Sequence, residues 1–211
     1  KANGEIKHIV VCGCLPQRYP EGYGTFMNEV DAYIGTGQID KIVPVIQSIM
    51  SGTKVVECSG RTYLYSHASP RFSLTPSFVK YVKIAEGCDH ACSFCIIPDI
   101  RGAYVSRPIE SIVSEVEHLV RNGLREAIVI AQDTSYYGKD LYGEFRLAEL
   151  LRRLSDIEEL RWIRVLYMYP RHITKDLIAA FTSSPKICNY VDLALQHIND
   201  SILKSMRRTI T

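Results

Sequence analysis

From Phe78 to the end of the chain one pattern recurs: a short apolar run, a polar loop, then a helix with one apolar face. Runs at 79–84 (VKYVKI), 127–131 (AIVIA), 162–167 and 190–195 read as strands, and 108–122, 145–154, 174–181 and 200–206 as helices. In the first helix Ile109, Ile112, Val113, Val116, Leu119 and Val120 share a face. Pro108 suits its first turn, Glu110 favours the N-terminal dipole, and Asn122-Gly123 ends it. Strands joined through helices pair in parallel. Four such units predict a partial parallel (β/α) barrel, whose chemistry belongs on the loops after the strands. Those loops carry Cys88, Cys92 and Cys95, then Gln132-Asp133-Thr134, then Tyr169-Pro170-Arg171-His172, then Gln196-His197.

Upstream, 6–12 (IKHIVVC) is a short buried strand ending in the turn Gly13-Cys14-Leu15-Pro16. A turn and short helix are expected over 19–30, and a second strand over 31–36. Asp40 is placed to cap a helix over 41–50, whose Ile42, Val43, Ile46, Ile49 and Met50 form one face. This order fits the C-terminal part of a doubly wound α/β domain. Gly52, Gly60, Pro70 and Pro76 then break the apolar period. The stretch reads as a connector holding a small strand or hairpin at 54–58 and 62–66. Tyr63 and Tyr65 read as alternate aromatics of a half-buried strand. The expected organisation is a first domain over 1–51, a connector over 52–77 and a barrel over 78–211.

Cys88, Cys92 and Cys95, at spacing C-x₃-C-x₂-C, lie on a loop that begins where an apolar strand ends. Thiolates bind soft metals, and a four-iron cluster normally takes four cysteines. Three ligands leave one iron open to a small molecule, which separates a catalyst from an electron carrier. A structural zinc site needs a second Cys or Cys/His pair, and none follows at such spacing. Buried thiols without a ligand are the other reading, but Gly87, Asp89, His90 and Ser93 do not look like core. A non-enzymatic iron–sulfur carrier would need a fourth ligand near the loop.

At 211 residues, 46% apolar, the chain can bury a core of one large or two small domains. Its net charge of +2 is too small to argue for nucleic acid or an acidic membrane. Seven cysteines without a signal-like start fit a reducing cytoplasm, and no apolar run approaches a membrane span. The chain reads as a piece of something longer.

The cysteine spacing, with an aromatic residue before the last cysteine, resembles the signature of the radical S-adenosylmethionine (SAM) enzymes. The wider stretch Ala85-Glu-Gly-Cys88-Asp-His-Ala-Cys92-Ser-Phe-Cys95-Ile-Ile-Pro98, then Arg101-Gly102 and Ser106-Arg107-Pro108, resembles their methylthiotransferase family. Ala131-Gln-Asp-Thr134 and Leu195-Gln-His-Ile198 look like its ribosomal-protein, or RimO-type, branch. The transfer-RNA branch has Gly-Gln-Asn at the first of these, and Asn where this chain has Asp89. The resemblance runs through nearly all 211 residues.

It implies a transferase in which Cys88, Cys92 and Cys95 hold a 4Fe–4S cluster whose open iron chelates SAM. An electron, from a donor such as flavodoxin, cleaves SAM to a 5′-deoxyadenosyl radical. In this branch the radical takes hydrogen from the β-carbon of an aspartate on the twelfth small-subunit ribosomal protein, and a methylthio group is inserted there. A transfer RNA adenosine is the substrate of the other branch. A second, sulfur-delivering cluster takes three cysteines of the N-terminal domain, the last matching Cys14. Cys12 is expected to point into the sheet, and Cys58 and Cys188 read as ordinary buried thiols. For SAM, Phe94 reads equally as an adenine flank or as loop packing. Gln132 and Gln196 read as methionine or ribose contacts, or as partners of loop backbone. Arg207 and Arg208 read as reaching a carboxylate or as a solvated helix end. His172 and His197, with no partner visible in the sequence, read as structural. The family continues past Thr211 with more barrel strands, a Gly-rich SAM-contacting segment and a small β-domain for the macromolecular substrate.

Overall fold

The computed structural model describes residues 4–21, 27–60, 63–69, 71 and 76–208. They form two units, one comprising Lys1–Leu64 with Ile96–Gly102 and the other Tyr65–Cys95 with Ala103–Thr211. The architecture is α/β, and both main sheets are parallel.

In the first unit β1 (Val10–Cys12), β2 (Ala32–Ile34) and β3 (Val55–Glu57) lie in that order, in the register Val10–Ala32–Val55. The strand expected within 54–58 therefore extends this sheet in parallel and is not half of a hairpin. Its expected partner over 62–66 is not a strand at 63–66, and residue 62 lies outside the described residues. Tyr65 is instead a half-open ring facing the Lys83 ammonium at 5.3 Å. Helix α2 (Ile42–Met50) lays Val45 and Ile49 on Ala32 and Ile34. Spacing of four chooses that face, so Val43, Ile46 and Met50 of the expected stripe stay exposed. Asp40 lies in a 3-10 turn over Ile39–Lys41 and does not cap α2, whose N-cap Lys41 makes no side-chain capping bond.

A five-residue helix, α1 (Cys14–Arg18), forms where a turn is expected; Gly13, at φ 115°, supplies the left-handed entry. The helix expected over 19–30 falls largely on 22–26, outside the described residues. Cys12 is exposed, not in the core, because the short edge strand β1 is covered only in part. Helix α3 (Ile97–Arg101) completes the unit.

The second unit is built on β4 (Val79–Lys83), β7 (Glu126–Ile130) and β8 (Trp162–Val165), adjacent in that order. Their period of two sends Val82, Ile84, Ala127, Val129, Ile163 and Val165 to one face. There they meet Ile112 and Val116 of α4 (Ile109–Arg121) and Leu150, Leu151 and Leu154 of α6 (Leu147–Ser155). This is the main core, and truncating one of its buried leucines costs about 2–5 kcal/mol.

Helix α7 (Lys175–Ser183) starts on Thr174, whose hydroxyl accepts from the Leu177 N–H. Helix α8 (Asp200–Ser205) starts on Asn199, which accepts from Ser201 and Ile202. The strand expected over 190–195 is reduced to one isolated pairing, Leu193 with Met168; a second, Ile187 with Ile163, lies before it. Tyr167, at φ 61°, turns the chain out of the extended state and interrupts the ladder there. No helix among the described residues is long and apolar enough to cross a membrane.

Candidate cluster and cofactor site

The parallel order β4-β7-β8 brings three loops to one edge of the second unit. The cysteine loop is bracketed by β5 (Ala85–Glu86), paired antiparallel with β6 (Val105–Ser106). Cys88 is buried, and Cys92 and Cys95 are half-buried. The loop lacks regular structure and is held from outside. Asp89 Oδ1 accepts from the Tyr104 N–H at 2.8 Å, and Tyr104 in turn donates its hydroxyl to the Asp133 carbonyl at 2.8 Å. The Ser93 N–H donates to the Met206 carbonyl at 3.0 Å, at the end of α8.

Asp133 follows β7 and is 2% exposed. Its Oδ2 lies 2.7 Å from His90 Nε2 and 2.9 Å from His172 Nδ1, while Oδ1 accepts from the Ser135 N–H at 2.9 Å. His90 stacks on Tyr169 with ring centroids 4.2 Å apart. Burial alone would raise the Asp133 carboxyl. The hydrogen bonds from His172, His90 and Ser135 outweigh it and hold the group well below the usual carboxylate range. His172 is thus partnered, which the sequence did not show. His197 bonds only locally, accepting at Nδ1 from the Asn199 N–H.

Arg208 is buried and not part of a solvated helix end. Its guanidinium donates towards Cys92 Sγ at 3.7 Å, bonds the Ala194 carbonyl, and lies 4.4 Å from the Tyr169 ring centroid. Its Nε is a buried donor without a partner. Gln132 donates to Glu86 Oε1 at 2.9 Å and leaves its Oε1 as a buried acceptor without a partner. Glu86 is also paired with Lys83 at 2.6 Å. Phe94 is 55% exposed, so it does not pack the loop. Gln196 is exposed and sits at φ 66°, a conformation that costs a non-glycine residue energy and collects at functional sites.

Cys14 belongs to the first unit, exposed, with Arg101 Nη2 3.7 Å from its sulfur. Cys58 and Cys188 are half-buried and burial raises both thiols.

Cys88 is pushed up to about 11 by burial; a backbone hydrogen bond from His90 opposes this, and Asp133, Cys95 and Cys92 add to it. Cys88, Cys92 and Cys95 share one loop, with Cys88 the most buried of the three. They do not converge as a zinc site does. Zinc–sulfur bonds of about 2.3 Å set tetrahedral sulfurs about 3.8 Å apart. Among the described residues only His90, Asp133 and His172 bring three ligand atoms within 4.8 Å of one another.

The radical SAM superfamily model matches residues 82–211. The chain belongs to the radical SAM superfamily. Membership implies a 4Fe–4S cluster and SAM. Ribosomal protein uS12 methylthiotransferase RimO of Desulforamulus reducens is 48% identical over 212 residues, all of this chain and 48% of the relative. The proteins of that name from Heliobacterium modesticaldum and Clostridioides difficile are 46% and 42% identical, over 99% and 100% of this chain and 45% and 48% of theirs. The chain thus spans about half the length of these curated relatives. Among solved structures, the radical SAM methyltransferase TsrM from Kitasatospora setae superposes with a TM-score of 0.66 over 95% of this chain and 43% of its own, at 16% identity. That likeness concerns the fold.

Proposed function

We propose that the chain is part of a radical-SAM methylthiotransferase, a transferase that places a methylthio group on the β-carbon of an aspartate in ribosomal protein uS12. The observation that carries this reading is the cysteine loop, with three thiols between 88 and 95, in a chain 42–48% identical along its length to proteins of that name. Cys88, Cys92 and Cys95 hold the cluster. When bound, the cluster supplies the electron that cleaves SAM to methionine and a 5′-deoxyadenosyl radical.

The protein's part is to orient that chemistry. Two buried orphan atoms of opposite kind fit the methionyl end of SAM: the Gln132 Oε1 acceptor suits its ammonium and the Arg208 Nε donor its carboxylate. Phe94 offers an exposed ring to the adenine, and Gln196 a polar group at the fourth loop. Cys14, with Arg101 beside its sulfur, is the ligand this chain contributes to a second, sulfur-delivering cluster. A flavodoxin-like donor and a cytoplasmic setting belong to the same reading.

The test is anaerobic reconstitution with iron and sulfide, followed by electron paramagnetic resonance (EPR) of the reduced protein with and without SAM. A 4Fe–4S signal that changes on adding SAM is expected. A cluster indifferent to SAM points to an electron carrier, and zinc without a cluster ends the enzyme reading.

A further inference from the structure

The cysteine loop has no secondary structure of its own, yet three thiols must be held at one geometry to accept a cluster. Asp133, on the loop after β7, reaches it by two routes. Its carboxylate holds the imidazole of His90, which lies between Cys88 and Cys92 in the chain. Its carbonyl accepts from the Tyr104 hydroxyl, and the Tyr104 N–H holds Asp89. The same carboxylate oxygen holds His172 from the loop after β8, and Ser135 ties down the other oxygen. Tyr169 adds a stacked ring beneath His90. No oxygen of this 2%-exposed carboxylate is left for a substrate, and separations of 2.7 and 2.9 Å are those of full hydrogen bonds.

Resting on the reading above, we propose that Asp133 is a positioning residue that acts through His90 to preset Cys88 and Cys92 for the cluster. It locks the loops after β4, β7 and β8 together and touches neither SAM nor substrate. Residues that orient ligands from behind typically set metal affinity by about 10–100-fold.

The experiment reconstitutes the parent chain, Asp133→Asn, His90→Phe and Glu126→Gln anaerobically and titrates each with an iron chelator. His90→Phe keeps an aromatic ring against Tyr169 but loses the link to Asp133. Glu126→Gln breaks the ion pair with Arg164 at the other end of β7 and serves as a stability control. Asp133→Asn and His90→Phe are expected to lose iron at about tenfold lower chelator than the parent and to give a broadened EPR signal. Glu126→Gln should match the parent in both. If both loop variants keep the parent's iron affinity and EPR line shape, the inference is wrong, although the cluster assignment stands. If the parent takes up no cluster, the functional reading itself fails. Should Asp133→Asn not fold, His90→Phe alone decides between the first two outcomes.

Discussion

The guanidinium of Arg208 lies 3.7 Å from the sulfur of Cys92, in a buried position stacked against Tyr169. A cation beside a cluster thiolate favours the more reduced, more negative state. Arg208→Gln should therefore lower the potential of the reconstituted cluster by tens of millivolts, the scale of one hydrogen bond to sulfur in a one-electron couple. An EPR-monitored redox titration reads this directly. An unchanged potential would mean that the contact has no electrostatic consequence.

Gly138 sits at φ 90°, and a Cβ there would meet the Arg146 Cβ at 2.9 Å and the Glu144 carbonyl at 3.0 Å. Gly143, at φ 79°, has nothing within 4 Å of the same added atom. Both substitutions to alanine carry the cost of a left-handed residue, about 1–2 kcal/mol. Only Gly138→Ala adds a backbone clash, so it should cost about 3 kcal/mol in total against about 1 for Gly143→Ala. Urea midpoints of the two variants should separate accordingly, and equal midpoints would refute the packing argument.

Much of this was legible in the residues because period and spacing are local. The apolar alternation of Val82, Ile84, Ala127 and Val129 and the face of Ile112 and Val116 state both the sheet and the helix that covers it. The C-x₃-C-x₂-C spacing states a loop with three ligands. What stayed hidden depends on contacts distant in sequence. His90, Asp133 and His172 are separated by about forty residues at each step, and only the parallel order of β4, β7 and β8 brings them to one edge. Arg208 looks like a solvated end until Cys92, 116 residues away, is seen beside it. The strand at 190–195 failed for a local reason that apolar period does not encode, the left-handed Tyr167 on its neighbour.

Asp133 also predicts a pH signature. Its folded carboxyl titrates below its unfolded value, about 3.9 for a free aspartate. A group depressed in this way contributes stability that is complete above the unfolded value and is lost as pH falls towards the folded one. Asp133→Asn should therefore cost about 3 kcal/mol at pH 7 and nearly as much at pH 5, with a smaller penalty at pH 3. Denaturant titrations at the three values provide the comparison. A penalty that grew on acidification would contradict the assigned direction.

The sharpest prediction concerns the thiols. Cys92 is half-buried on a loop outside the apolar core, so replacing its sulfur by oxygen leaves the packing of Val82, Ile84 and Val116 intact. Cys92→Ser should thus unfold within about 0.5 kcal/mol of the parent. It should nevertheless fail to form the reducible 4Fe–4S signal, because an alcohol does not replace a thiolate on iron. Cys188→Ser is the control, since Cys188 is a half-buried thiol whose backbone N–H bonds Ile163 and which lies on none of the three site loops. Its cluster signal and SAM response should equal the parent's. Formation of 5′-deoxyadenosine by the full-length Cys92→Ser enzyme would remove Cys92 from the ligand set. Loss of signal in Cys188→Ser would place the cluster somewhere other than the loop at 88–95.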